Sequence, residues 1–428
     1  MKKYLLFTCI MLSSLFINAQ NSEDEIRKST DKFLELISHE KYTEARGMFN
    51  DKVKALISEE KLKSIWSKFN KSKGVYVEHN KIQIDGLKTK TTLKFTKMYL
   101  LMKLNYDAQG LIEYIRLLPK STPINIPPEE TDDYYEEKVT VNAGDTPLEG
   151  LLTIPKDGDN FPVVILVHGT GAHDRDETIL KNKPFKDLAH ELAKEGIAVL
   201  RYDKRSRIHP NKCNTIKELA VDDAVAALTL ASKHPKVDSE RVFVLGHSLG
   251  GYLAPMIAEE ASFIKGAISM AGPSRRIEDI MPEQMEFLAN FDGKVSKTER
   301  KKIEYVKKTV QEIKELPNKT DVDPDKMYLF AKASFWLSLA DYSPLKTALK
   351  TPQKYLFLQG KRDYQVTMVD YKGWKRALPK SKATFKKYKK LNHLMIEGEG
   401  KANPKDYEKT GHIAAYVIGD ISQWIHKN

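Results

Sequence analysis

The stretch Val242-Phe243-Val244-Leu245-Gly246-His247-Ser248-Leu249-Gly250-Gly251 decides the fold. Its first four residues are apolar without a break, the pattern of a strand buried on both faces of a parallel sheet. The strand runs straight into a G-x-S-x-G turn, and Tyr252 to Glu259 continues as a helix. The five-residue pattern alone is weak, but a strand before it and a helix after it describe a nucleophile elbow. Such a turn holds Ser248 at strained backbone angles, and Gly246 and Gly250 remove the Cβ atoms that would collide there. Ser248 Oγ is expected to stand free at a helix N-terminus, with the Leu249 N–H aimed at the same space.

Outward from the elbow, strands alternate with helices. Val163 to Val167 is another continuous apolar strand, and Ile197 to Tyr202, Gly266 to Met270, Tyr355 to Leu358 and Ala383 to Tyr388 follow the same pattern. Helical segments such as Asp222 to Ser232 separate them. Right-handed crossovers then give the α/β class, a mostly parallel sheet with helices on both faces, over residues 139–428. Between Pro273 and about Ala340 the alternation stops, and Met281 to Leu288, Thr298 to Leu316 and Met327 to Ser338 read as helices. This insertion, about 274–340, is expected to form a helical cap over the strand ends. Phe330, Phe335 and Trp336 are expected to pack the cap onto the core; lining an apolar acyl site is the sharper alternative.

Residues ahead of this region divide further. Lys2, Lys3 and the apolar Leu5 to Phe16 stretch ending at Ala19 read as a signal peptide over residues 1–19, too short to span a bilayer. Export to the periplasm or medium after cleavage near Ala19 is expected. Residues 20–118 show helical spacing (Ile26, Phe33, Leu34, Ile37, then Ala45, Phe49, Val53) followed by strands and turns at Asp85-Gly86 and Asp107 to Gly110. That order predicts a small α+β domain. Residues 119–138 combine Pro123, Pro127 and Pro128 with the acidic run Glu129 to Glu137 and read as a linker.

Composition sets outer limits. Hydrophobic residues make up 41% of the 428-residue chain, enough for large cores, which excludes a disordered protein. Two cysteines, Cys9 in the leader and Cys213, exclude a disulfide framework. Lys plus Arg number 70 against 58 Asp plus Glu, a charge of +12. The lysines are scattered through every segment and no aromatic-basic motif accompanies them, so the expectation is a solvated basic surface and no nucleic-acid partner.

A serine needs a base oriented by a carboxylate. In this architecture the chain order is serine, acid, histidine. Asp363 lies just beyond the Tyr355 to Leu358 strand, on the edge where Ser248 stands; Asp370 falls in the following helix and is expected to face solvent. His393 follows the Ala383 to Tyr388 strand, whereas His412 is assigned to the last helix as a structural residue. The second oxyanion donor beside Leu249 N–H is assigned to Thr170 N–H, in the loop His168-Gly169-Thr170-Gly171. The charge-dense Asp174-Arg175-Asp176-Glu177-Thr178 reads as a solvated loop with local ion pairs; the functional alternative is a brace for the oxyanion loop against Asp203, Lys204 or Arg205.

Taken together, these motifs resemble the bacterial serine esterases of the α/β-hydrolase superfamily. The residues that carry the likeness are His168-Gly169-Thr170-Gly171 with Asp174-Arg175-Asp176-Glu177-Thr178, Arg201-Tyr202-Asp203-Lys204-Arg205, Gly246 to Gly251, Asp341-Tyr342-Ser343-Pro344, Gln359 to Val366 and Leu391-Asn392-His393. The resemblance covers roughly residues 135–427 and implies a carboxylesterase with the triad Ser248, Asp363 and His393, without cofactor or metal, acting on a small-molecule ester. Ser206-Arg207-Ile208-His209-Pro210 departs from it, since similar proteins usually have glycine after Asp-Lys-Arg. Residues 21–118 resemble, more weakly, the cone-shaped NTF2-like domain that often precedes secreted hydrolases; the resemblance assigns it no partner. A peptidase or thioesterase on the same triad is the alternative function, and a non-catalytic binding protein the third.

Overall fold

A computed structural model of the chain describes residues 23–73, 75–95, 99–120 and 127–428. The expected leader and residues 121–126 of the expected 119–138 linker lie outside them, and the linker's first two residues end a strand of the first unit instead. The chain divides into two units, with the boundary between Thr122 and Pro123.

In the first unit, helices α1 (23–38), α2 (Tyr42–Gly47), α3 (Asp51–Leu56) and α4 (Glu59–Lys73) precede an antiparallel sheet. Its strands are β1 (Tyr76–His79), β2 (Gln83–Asp85), β3 (Lys88–Phe95), β4 (Tyr99–Tyr106) and β5 (Ile112–Lys120), in the order β1-β3-β4-β5 with β2 also paired to β3. Phe33, Phe49, Trp66, Leu93, Leu104 and Ile112 form the core, so the helices bury the apolar faces that their spacing defined. This is the α+β unit expected from the change of period.

The second unit carries an eight-stranded sheet in the order β15-β14-β11-β10-β8-β9-β7-β6. Its strands are β6 (Tyr134–Ala143), β7 (Thr146–Pro155), β8 (Phe161–Val167), β9 (Ala198–Tyr202), β10 (Val237–His247), β11 (Gly266–Met270), β14 (Lys354–Gly360) and β15 (Ala383–Tyr388), with β12 (Met327–Tyr328) and β13 (Ala331–Lys332) forming a separate hairpin. The pairings from β9 through β15 are parallel, and β6 and β7 add antiparallel edges. Val163, Ile165 and Val167 face one core, with α7 (Asp222–Ala231) and α8 (Leu249–Glu260). Val164 and Leu166 face the other, with α5 (Pro184–Lys194) and α14 (Ala415–Lys427). An unbroken apolar strand is what burial on both faces requires. Short α6 (Arg205–Ile208), α12 (Pro344–Lys350) and α13 (Met368–Ala377) complete the layers.

Two expectations need correction. The acidic end of the expected 119–138 linker is not linker: Tyr134 to Ala143 pair with β7 along their whole length. Tyr134 and Glu136 point inward, and the Glu136 carboxylate is accommodated because Arg201 Nη1 lies 2.7 Å from it. The third expected cap helix, Met327 to Ser338, begins instead as the β12–β13 hairpin. Leu329, at φ 55°, breaks the helical run, and only α11 (Ala333–Leu337) remains helical. The turn lets the Tyr328 carbonyl accept from buried Trp336 Nε1 at 3.0 Å. The other two helices expected in the insertion, α9 (Ile277–Ala289) and α10 (Lys297–Glu315), fall where expected, α10 opening with a capping box of Ser296 and Glu299. Phe335 and Trp336 join the main core as expected, whereas Phe330 is exposed.

Arg201 on β9 ties the sheet edge to the loop after β8. Its guanidinium donates to Glu136 Oε1 at 2.7 Å, Asp176 Oδ1 at 3.0 Å and Thr153 Oγ1 at 2.9 Å, and both carboxylates are fully buried. Arg201→Ala would strand two buried anions and is expected to cost about 3–5 kcal/mol in urea unfolding at neutral pH. Burial alone would raise the Glu136 pKa, but the His190 hydrogen bond and the Arg201 charge outweigh it and hold it at about 2. A depressed carboxylate contributes stability that is complete above about pH 4.3 and is lost as the pH falls towards 2. The destabilisation by Arg201→Ala should shrink across that window.

Candidate active site

The strand-to-helix turn is as tight as a turn can be: β10 ends at His247 and α8 starts at Leu249. Ser248 between them has φ 54° and ψ −112°, a conformation costly for any residue but glycine. Its N–H donates to Met270 O at 2.9 Å, which anchors the turn to the end of β11. A Cβ on Gly246 would lie 2.0 Å from Gly250 O, and one on Gly250 would lie 2.1 Å from Val167 O, so both glycines are required by close approach. Ser248 is half-buried, and its hydroxyl makes no hydrogen bond with a described residue. Leu249 N–H is at the first turn of α8, where no carbonyl lies four residues back within the helix.

Asp363 and His393 meet. His393 Nδ1 lies 2.7 Å from Asp363 Oδ2, and both side chains are buried. Asp363 Oδ1 accepts from the amides of Gln365 at 2.8 Å and Val366 at 3.0 Å, and Oδ2 also accepts from Gln359 Nε2 at 3.1 Å. The loops reach one another because Gly360 ends β14. A Cβ there would stand 2.3 Å from Leu391 O, and Arg362 N donates to that carbonyl at 3.0 Å. Asn392 shapes the histidine loop by accepting from Leu394 N and Ile396 N.

The two rejected residues fall elsewhere. Asp370 lies in α13 as expected but is buried rather than solvent-facing: it accepts from Ser274 N and pairs with Arg275 Nη2 at 2.9 Å, fastening the start of the segment inserted after β11. His412 precedes the last helix instead of lying in it and pairs with Asp187 at 3.0 Å.

The charge-dense loop is not solvated. Asp174, Arg175, Asp176 and Glu177 are all buried. Arg175 Nη2 reaches Asp203 Oδ2 at 2.8 Å, and Glu177 Oε1 accepts from Gly169 N at 2.7 Å. The bracing alternative therefore describes it, with Asp203 as one partner. Glu177 also reaches His247, a residue that the motif reading passed over. His247 Nδ1 lies 2.9 Å from Glu177 Oε2, and Nε2 lies 2.9 Å from the His393 carbonyl. Both partners are acceptors, so both ring nitrogens must carry protons. Burial opposes that charge, but Glu177 outweighs burial and raises the His247 pKa, while Glu177 itself is held at about 2. One buried ion pair thus joins the loop after β8, the strand-to-helix turn and the loop that carries His393. Its only trace in the sequence is a glutamate and a histidine inside recognised motifs.

Thr170 follows Gly169, whose α-carbon faces Ser248: a Cβ on Gly169 would lie 3.1 Å from Ser248 Cβ. Among the described residues Thr170 N–H donates to nothing, whereas Gly169 N–H is taken by Glu177. The departing segment at Ser206 forms α6, and Ser206 Oγ donates to Gly171 O at 3.0 Å.

A family model described as serine aminopeptidase, S33, matches residues 158–400. A second, described as a protein of unknown function (DUF3887), matches residues 30–113. Esterase EstD of Thermotoga maritima is 34% identical over 92% of this chain and 94% of its own length. Among solved structures, Est1E from Butyrivibrio proteoclasticus is similar at 17% identity and a TM-score of 0.44, over 68% of this chain and 98% of that one. A hyperthermophilic esterase from the archaeon Pyrobaculum calidifontis is similar at 16% identity and a TM-score of 0.43, over 68% and 85%. With the match over most of its second unit and the full-length relative, the chain belongs to the α/β-hydrolase esterases, within the family described as serine aminopeptidase, S33.

Proposed function

We propose that the protein hydrolyses acyl esters through an acyl-enzyme on Ser248, with His393 as base and Asp363 as its orienting carboxylate. The observation that carries this is the 2.7 Å contact of His393 Nδ1 with Asp363, beside a strained serine whose hydroxyl is unengaged among the described residues. Asp363 can only accept, so Nδ1 carries the proton and Nε2 is left with its lone pair for Ser248. Ser248 Oγ attacks the carbonyl carbon as its proton passes to His393 Nε2. Thr170 and Leu249 N–H donate to the resulting oxyanion. The ester C–O bond breaks as His393 returns the proton to the alcohol. Water, deprotonated by His393, then attacks the acyl carbon and releases the acid and Ser248.

Aminopeptidase chemistry, named in the description of the family model, requires a carboxylate for the substrate amine. The four candidates on α9 are already engaged. Glu278 pairs with Arg276, Asp279 with Lys314 at 2.5 Å, Glu283 with Arg275 at 2.5 Å and Glu286 with Lys307 at 2.5 Å. Initial rates on p-nitrophenyl acyl esters of increasing chain length, beside amino-acid p-nitroanilides, test the reading. Ester turnover should exceed anilide turnover at every chain length accepted. Faster release from the anilides would replace esterase with peptidase.

A further inference from the structure

Lys204 is a buried cation that the esterase mechanism above leaves without a task. It lies just past β9, 3% exposed, and its ammonium donates to Gly169 O at 2.5 Å. The opposite edge of the same residue, Gly169 N–H, is held by Glu177 Oε1 at 2.7 Å. Gly169 is thus gripped by a buried anion on its amide and a buried cation on its carbonyl.

The geometry has a direct consequence for the next amide. In a trans peptide the carbonyl of residue 169 and the N–H of residue 170 lie in one plane and point in opposite directions. Fixing Gly169 O on Lys204 therefore fixes the direction of Thr170 N–H, the amide that has no partner among the described residues. A positive charge on the carbonyl oxygen also polarises the peptide and makes that N–H a stronger donor in a low-dielectric site.

We propose that Lys204 is a positioning residue for the oxyanion hole, holding the Gly169–Thr170 peptide so that Thr170 N–H is aimed and polarised for the developing oxyanion. The proposal rests on the esterase reading above. Its charged form is needed for this. Burial pushes the Lys204 ammonium down to about 8, with Glu177, Cys213 and Asp223 opposing the fall. His168 and His173 on the oxyanion loop also face it electrostatically, and burial lowers the pKa of both. Sign follows directly: below about pH 8 the ammonium is present and the peptide is held, and above it the neutral amine grips more weakly.

The test compares kcat, KM and the pH profile of wild type and Lys204→Met on a p-nitrophenyl ester, with inhibition by an alkyl trifluoromethyl ketone as the transition-state probe. Loss of one oxyanion donor elsewhere costs about 10²–10³ in kcat, so misaiming one should cost roughly 10- to 100-fold. The ketone should lose affinity by a similar factor while KM changes little, and an alkaline fall in wild-type kcat near pH 8 should disappear in the variant. A folded Lys204→Met enzyme with unchanged kcat and ketone affinity, or with the same alkaline limb, overturns the proposal. If Lys204→Met does not fold, the wild-type profile decides: flat kcat from pH 7 to 10, in protein shown folded by circular dichroism, overturns it. Dependence of the reaction on Ser248 is measured separately, so failure here leaves the esterase reading standing.

Discussion

Ser248→Ala is expected to lower kcat on a p-nitrophenyl ester by about 10⁵- to 10⁶-fold, the scale on which loss of a catalytic serine acts elsewhere. The loss should appear in kcat, because the hydroxyl forms its bond only in the transition state. Stability should barely respond. Ser248 Oγ makes no hydrogen bond with a described residue and does not cap α8, so its removal leaves no described partner unsatisfied. Alanine keeps the Cβ and hence the φ of 54° that burdens this position. Glycine relieves that strain, and Ser248→Gly should be equally inactive yet more stable by about 1 kcal/mol. Calorimetry beside the kinetic assay checks both parts. Retained turnover in Ser248→Ala would remove the nucleophile assignment, and the triad with it.

The second large effect concerns Asp363. Four donors converge on its carboxylate: the amides of Gln365 and Val366 on Oδ1, and Gln359 Nε2 and His393 Nδ1 on Oδ2. Asparagine offers one acceptor oxygen where two are needed. If that oxygen stays with the two loop amides, its NH₂ faces His393 and Gln359. His393 Nδ1 must then accept, the proton moves to Nε2, and the base no longer has a lone pair for Ser248. Asp363→Asn is expected to reduce kcat by about 10⁴-fold at neutral pH through this wrong tautomer. Flipping the amide back would set its NH₂ against the two loop amides, so no orientation restores the native pattern. The 15N chemical shifts of His393 report the tautomer directly; a native Nδ1–H in an inactive variant would break the proposed link.

The second unit was legible because its chemistry is local in sequence. A strand with four consecutive apolar residues, two glycines around a serine and a helix behind it occur within Val242 to Glu259. Chain order then separated Asp363 from Asp370 and His393 from His412. The front unit was legible for a similar reason, since its change from helical spacing to strands marks the α+β pattern. Misreadings came where local rules compete with tertiary ones. An acidic run argues for a solvated linker, but Glu136 is neutralised by Arg201, which lies far along the chain. Asp370 reads as solvent-facing from its own helix, because nothing local in sequence shows the Arg275 guanidinium that pairs with it. Met327 to Ser338 has helical spacing, yet Leu329 adopts a positive φ that spacing cannot report.

By itself, the sequence determined the fold class and an α+β front region ahead of it, and it named the serine, aspartate and histidine proposed here as the triad. Periodicity and tight turns are properties of neighbouring residues, so a linear reading contains them. The tertiary structure alone decided how charge is arranged around those three groups. It turned the run Asp174 to Glu177 from a solvated loop into a buried brace, set an acceptor against each ring nitrogen of His247, and placed Lys204 and Glu177 on the two edges of Gly169. The physical reason is that a buried charge is tolerable only when its partner arrives from another strand or loop, and that meeting is a fact of three-dimensional packing rather than of sequence spacing.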